Sequence, residues 1–221
     1  MEKKYSELLN LDATIAKDLF DKVTHPWEVL PLIHDYIIEK FDLLGDDFIE
    51  FDSNVYIHKT AKISDKATII GPTIIGRDTE VRPGAFIRGN ALIGEGCVIG
   101  NSTEVKNAII FNHVQCPHYN YIGDAVLGEY AHTGAGVILS NVKNDKSNVC
   151  VKDKKEVYET GLRKFSAIIG DHVDVGCNSV VFPGSIIYPN TLVYPLTRVR
   201  GVVPSNKIVK DTYEIVERKD N

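Results

Sequence analysis

Between Asn101 and Asn141 the chain gathers several side chains able to move a proton or grip an anion. His113, His118 and His132 stand there with Tyr119, Tyr121, Glu104 and Lys106, beside a Gly134-Ala135-Gly136 turn. Histidine is the side chain best matched to accepting a proton near neutral pH. Lysine and arginine hold phosphates through charge-assisted hydrogen bonds, and Arg88 stands 18 residues before Lys106. Thiol chemistry fits less well. Cys97, Cys116, Cys150 and Cys177 lie 19, 34 and 27 apart with no CxxC pair, which is neither a zinc clip nor a disulfide framework. Cys116 alone stands among the histidines, and it reads as a packing residue.

Residues 18 apart share one side only if the chain returns to the same place every 18 residues. A six-residue repeat makes it do so. An aliphatic residue recurs as Ile57, Ile63, Ile69, Ile75, Val81, Ile87, Ile93, Ile99 and Val105, then as Ile169, Val175, Val181, Ile187 and Val193. Four places after each comes a mostly small residue, such as Ala61, Thr73, Ala91 or Thr103. This period fits neither the helix repeat of 3.6 nor a long alternating strand. It predicts short strands and sharp turns wound so that equivalent positions stack, with three hexads of about 18 residues to a coil. The expected fold is mainly β: a parallel β-helix of about seven coils over residues 51–204, five before 140 and two after 167. One register slip is expected, between Ile122 and Leu127.

Residues 1–50 read differently. Ile15, Leu19, Phe20 and Val23 mark an amphipathic helix with Asp12 as N-cap, and Pro26 opens a second carrying Trp27, Leu30, Ile33, Ile37 and Phe41. They are expected to cap the open end of the coil. Residues 141–166 break the period and carry many charges, as an insertion loop or flap would. Residues 205–221 read as a loose polar tail. The net charge of −5 gives no footprint for nucleic acid or an anionic membrane. No stretch approaches the roughly 20 apolar residues of a spanning helix, and no apolar signal core opens the chain, so a cytoplasmic protein is expected.

The runs NSTEVKN, PHYNYIGDAVLG and HTGAGVILSN resemble the acetyltransferase domain of bifunctional N-acetylglucosamine-1-phosphate uridylyltransferase/glucosamine-1-phosphate acetyltransferases. They are still closer to related sugar-phosphate nucleotidylyltransferase-like hexapeptide proteins. The resemblance spans roughly residues 51–204 and implies a left-handed β-helix, a homotrimer, acetyl-coenzyme A as co-substrate and an amino-sugar phosphate as acceptor. It makes His118 the general base and assigns Lys106 and Tyr121 to the sugar phosphate. Glu104 takes the motif's acidic position, Asn141 orients the acceptor, and Ala135 and Cys177 contact the coenzyme. Gly134 and Gly136 flank Ala135 in a turn whose backbone N–H groups could stabilise an oxyanion. The family's substrate arginine opens an R-P-G run, but Arg82 lies 24 residues before Lys106, so Arg88 is preferred. His132 stands where relatives carry an asparagine near the acceptor.

No glycine-rich nucleotide loop precedes the repeat, so a nucleotidylyltransferase domain is not expected in this sequence. No metal is expected. Two other readings share the coil. A γ-type carbonic anhydrase would use His113 and His118 as two of three zinc ligands, but position 77 is Arg and His58 is the only upstream histidine in the repeat. The third reading is a trimeric scaffold without turnover.

Overall fold

The computed structural model describes residues 7–154, 156–211 and 214–218. The hexads wind into a parallel β-solenoid with three faces. The first face stacks Val55–His58, Thr73–Ile75, Ala91–Ile93, the later halves of Glu104–Ile110 and Tyr121–Leu127, then Ala167–Ile169, Ser185–Ile187 and Val202–Val203. The second runs from Lys62–Ile63 through Val98–Asn101, Gln115–His118, His132–Thr133 and Asp174–Val175 to Lys207–Val209. The third runs from Thr68–Ile69 through Phe86–Ile87, the earlier halves of the two long strands and Ile138–Leu139 to Arg198–Val199.

The repeating aliphatics fill one continuous interior. The small residue of each hexad sits near a turn, where there is little room and a carbonyl needs a donor. Thr79 Oγ1 donates to the Gly94 carbonyl at 2.7 Å and Thr103 Oγ1 to that of Cys116 at 3.0 Å. The register slips three times rather than once: besides two five-residue steps, Val199 to Val203 is a four-residue one. Ile110 lies beside both Ile93 and Leu127, so Val105 to Ile110 is a five-residue step like Ile122 to Leu127. At both five-residue corners the strand runs on unbroken, with Asn107 and Asp124 in the left-handed region at φ +46° and +52°.

A second apolar cluster lies outside the coil. The outward residues of the first face are Ile74, Leu92, Ile109, Val126, Ile168 and Ile186, all fully buried. Against them pack Leu19, Phe20, Trp27, Leu30, Ile33 and Ile37. The helical segment therefore covers a flank of the solenoid and not its end, as the contacts of Ile33–Phe41 with the first-face strands show. Its helices are also shorter than expected. The first is Lys17–Phe20, preceded by a 3₁₀ turn Leu11–Ala13 capped by Asn10 instead of Asp12. Pro26–Leu32 is 3₁₀, with Pro31 inside it, and Ile33–Phe41 is α.

Antiparallel strands flank the terminal rungs instead. Phe48–Asp52 pairs with Val55–His58, and Ile215–Glu217 folds back on Lys207–Val209, which itself adds a rung beyond residue 204. Such pairing covers a strand edge that would otherwise be open. The tail is thus built into the sheet over its described residues, and the coil runs past the expected seven turns.

The insertion is also ordered structure. Cys150–Asp153 and Glu156–Glu159 form a hairpin, and Val149, Val151 and Phe165 are buried in the second cluster near Trp27. Gly184, at φ +78°, is required there: a Cβ would collide with the Cys150 carbonyl. No helix among the described residues is long and apolar enough to cross a membrane.

Candidate active site

The third face is bounded by two edges, and the chemistry-bearing residues divide between them. On the edge shared with the first face, Lys106, Asp124 and Asn141 lie on successive coils. Asp124 is the single charged residue among the buried described ones. Its carboxylate accepts from Lys106 Nζ at 3.2 Å, Asn107 Nδ2 at 3.0 Å and Asn141 Nδ2 at 2.5 Å. A buried carboxylate is costly unless paired and hydrogen-bonded, and these donors meet that requirement. The Asp124 carbonyl also accepts from Ser166 N, so the residue anchors both ends of the insertion.

Beside this hub, Asn141 Nδ2 also donates to Tyr121 Oη at 3.1 Å. Burial first, then the charges of Asp124 and Glu104, push the Tyr121 phenol above its ordinary pKa, so it stays protonated. Tyr121 and Glu104 are neighbours on adjacent rungs. Glu104 Oε1 accepts from Arg88 at 2.6 Å, which holds the guanidinium pKa above its usual value. Arg88 N donates to the Val105 carbonyl, which sets Arg88 on the edge of Lys106. Arg82 pairs with Glu80 at the opposite edge.

That opposite edge, between the second and third faces, carries His118. The His118 carbonyl accepts from Gly136 N at 3.0 Å, and the Ala135 carbonyl accepts from Asn178 N at 2.8 Å. The Gly134–Gly136 turn is therefore one coil from His118, and the exposed Cys177 is two. Buried Asn120 ties the edge together, accepting from His118 N and donating to the Gly134 carbonyl at 2.7 Å. One expectation for the turn needs correcting. Gly134 N already donates to Val175 and Gly136 N to His118, which leaves the Ala135 N–H as the turn's donor with no backbone acceptor among the described residues.

Across the third face the two edges stand apart: His118 lies five residues before Gly123, the rung-mate of Lys106. No hydrogen bond or ion pair among the described residues joins the His118 ring to the Lys106 group. The other histidines are placed elsewhere. His132 Nδ1 lies 2.8 Å from Asp174 Oδ1 on the second face. His113 stacks on Tyr130, which stacks on His172, along the third edge. Among the described residues no three His, Cys, Asp or Glu side chains converge as a metal site. Cys116 is fully buried with its thiol pushed up to about 12 by burial, the state of a packing residue. Asp124 and Asn120 were missed in the sequence. A signal existed for the first: Lys106, Asp124 and Asn141 are spaced 18 and 17, one coil each.

Residues 69–209 match the GMPPB C-terminal domain family. A protein of Methanococcus maripaludis named "Bifunctional protein GlmU" is 33% identical over 185 residues, covering 82% of this chain and 45% of that protein. The "Bifunctional sugar-1-phosphate nucleotidylyltransferase/acetyltransferase" of Sulfurisphaera tokodaii is 34% identical over 151 residues, covering 60% and 38%. The chain spans half or less of the length of these curated relatives. A solved hexapeptide transferase family protein from Anaplasma phagocytophilum aligns at 19% identity and a TM-score of 0.48, over 75% of this chain and 81% of that one.

Proposed function

The chain belongs to the GMPPB C-terminal domain family, and from that premise we propose that it transfers an acetyl group from acetyl-coenzyme A to the amine of a hexosamine-1-phosphate or a related nucleotide-sugar precursor. One observation carries the reading: buried Asp124 gathers Lys106 and Asn141 on one edge of the face whose other edge bears His118 above the Ala135 N–H. The acetyltransferase half of the Sulfurisphaera relative's name supports it.

In this mechanism Lys106 and Arg88 receive the sugar phosphate, exchanging carboxylate partners for it, while Tyr121 and Asn141 orient the ring. Glu104 holds Arg88 in place until the phosphate arrives. The amine attacks the thioester carbonyl, a C–N bond forms, and the C–S bond breaks to release coenzyme A. His118 takes the proton from the attacking amine. General-base catalysis of this kind is worth about 10²–10⁴ in rate. Ala135 N–H stabilises the carbonyl oxygen as charge develops on it, with Gly134, Gly136 and Cys177 lining the coenzyme's approach. His132, paired with Asp174 on the second face, takes no part in this reading. The separation of the two edges across the third face argues that a working site joins the His118 edge of one copy to the Lys106 edge of another. A cyclic homotrimer with parallel axes would do this three times over.

Release of free coenzyme A thiol, with glucosamine-1-phosphate screened first among amino-sugar phosphates, tests the reading. His118→Ala is expected to lower kcat at least 100-fold with coenzyme affinity retained. Undiminished turnover in His118→Ala, or a monomer mass by light scattering at micromolar concentration, would overturn the catalytic or the assembly part respectively.

A further inference from the structure

Beyond Asn141 the same edge opens into a cavity of about 340 Å³ beneath the docked hairpin. Its size is on the scale of small-molecule sites, which start at about 300 Å³. Three cations line it from three separate segments: Lys143 at the insertion's start, Lys152 on the hairpin and Arg200 at a coil corner. The one acid there, Asp145, is engaged: it accepts from Ser147 at 3.0 and 2.8 Å, and Lys143 lies 3.8 Å away. Lys143 is held in place, donating to Ser147 Oγ at 2.5 Å and to the Asn148 carbonyl at 3.3 Å.

Lys152 and Arg200 have no ion-pair partner among the described residues, yet the fold brings their segments together. Gly201, at φ +79°, lets the Lys152 carbonyl approach to within 3.0 Å of where a Cβ would stand. Two neighbouring cations in a cleft repel each other unless an anion lies between them. Phe182 and Pro183 supply a flat apolar wall to the same cavity. Aromatic and proline surfaces of this kind pack against planar rings.

We propose that this cavity binds a nucleoside diphosphate group, its phosphates among Lys143, Lys152 and Arg200 and its base against Phe182 and Pro183. Charge and shape together select this chemistry: a monovalent anion would leave cations unmatched, and an apolar ligand would leave them desolvated. Two molecules could bring the group, a nucleotide-linked amino sugar or coenzyme A itself. The inference stands on the cavity and does not require acetyl transfer to occur.

Isothermal titration of the whole chain with UDP, ADP, coenzyme A and inorganic phosphate tests it. Wild-type protein is expected to bind at least one of the three nucleotides well above inorganic phosphate. In the Lys152→Glu/Arg200→Glu double variant that affinity should fall at least tenfold, and Phe182→Ala should weaken the nucleotide but not phosphate. Loss confined to coenzyme A identifies the coenzyme as the source. Loss for UDP or ADP with coenzyme A unaffected identifies a sugar nucleotide. Nucleotide affinity no better than phosphate, or unchanged in the double variant, overturns the proposal. Both replaced side chains are at the surface, and an unchanged melting curve checks the fold. Nucleotide binding without any thiol release would sink the acetyl-transfer reading alone.

Discussion

The first and third faces of the solenoid are made from the same hexad, share one interior and have opposite exteriors. Outside the first face run Ile74, Leu92, Ile109, Val126, Ile168 and Ile186, sealed by the helical segment and the hairpin. Outside the third run Glu104, Tyr121 and Ile138, at least partly open to solvent, with Arg88 and Lys106 at the margin. The hexad therefore dictates the coil but not what the coil does. One outward position per rung decides whether a face becomes a seam for other parts of the chain or stays available to ligands. Each fully buried aliphatic contributes about 1.5–3 kcal/mol, so the sealed face is where stability concentrates. The open face keeps its charges paired and accessible.

A charge placed on each exterior breaks this comparison most severely. Ile109→Asp puts a carboxylate into the sealed seam with no partner, and several kcal/mol are lost. The chain is expected not to fold, or to melt far below wild type. Ile138→Asp, on the open face at 37% exposure, should change the melting temperature little. Equal losses in the two variants, by denaturant titration, would erase the distinction between the faces.

The interior common to both faces makes the next largest prediction. Cys97 and Cys116 are buried inside the coil, and burial pushes both thiols up to about 12 from an ordinary 9.0. The folded chain therefore holds two protons that the unfolded chain releases above pH 9. Stability from this source is full below about pH 9 and is lost as pH rises from there toward about 12. Replacing both with alanine should flatten that decline, although packing is lost at every pH. A pH-stability curve unchanged in slope would argue against the thiols as its cause.

What could be read in advance follows the same division. The inward aliphatics from Ile57 to Val105 were legible because a buried repeat is a property of spacing alone. The outward partners were in plain view as doublets: Ile74-Ile75, Leu92-Ile93, Ile109-Ile110 and Val126-Leu127 follow one another at about one coil. Each looked like one more aliphatic residue in a strand. Amphipathicity identified Trp27, Ile33 and Ile37 as buried but could not say against what, so the flank was mistaken for an end. Polar composition hid the last rung, because Ile208 and Val209 are bracketed by lysines. Asp124 escaped because a single carboxylate in a turn is ordinarily solvated. Only the coil spacing from Lys106 and Asn141, already used to choose Arg88, distinguishes it.

Asp124 belongs to both regimes, since it is buried and yet holds Lys106 and Asn141, the groups proposed to meet the acceptor. Asp124→Asn keeps the volume and removes the charge that Lys106 and two amides share. Lys106 retains access to solvent, so the expected loss is about 1–3 kcal/mol rather than the full cost of an orphaned buried ion. In the proposed reaction the sugar-phosphate KM should rise at least tenfold, because Lys106 and Asn141 lose their common anchor. A stability loss with KM unchanged would make Asp124 a structural residue only.

Arg88→Gln is the smallest perturbation to the fold and the sharpest test of the open face. Arg88 pairs with Glu104 at 2.6 Å, but the two side chains are 45% and 31% exposed. Exposed pairs contribute about 0–1 kcal/mol, because water screens them and two long side chains must be held still. The melting temperature is therefore expected to stay within error of wild type, and added salt should not widen the difference. Binding is another matter. A phosphate arriving at the edge would displace Glu104 from the guanidinium and gain a paired set of donors, which glutamine cannot offer with charge. The expected outcome is an unaltered fold with a sugar-phosphate KM raised about tenfold or more and kcat nearly unchanged. Arg82→Gln, on the opposite edge, should leave KM alone. If Arg82→Gln raises KM and Arg88→Gln does not, the phosphate lies on the His118 edge, and the division of labour between the two edges is reversed.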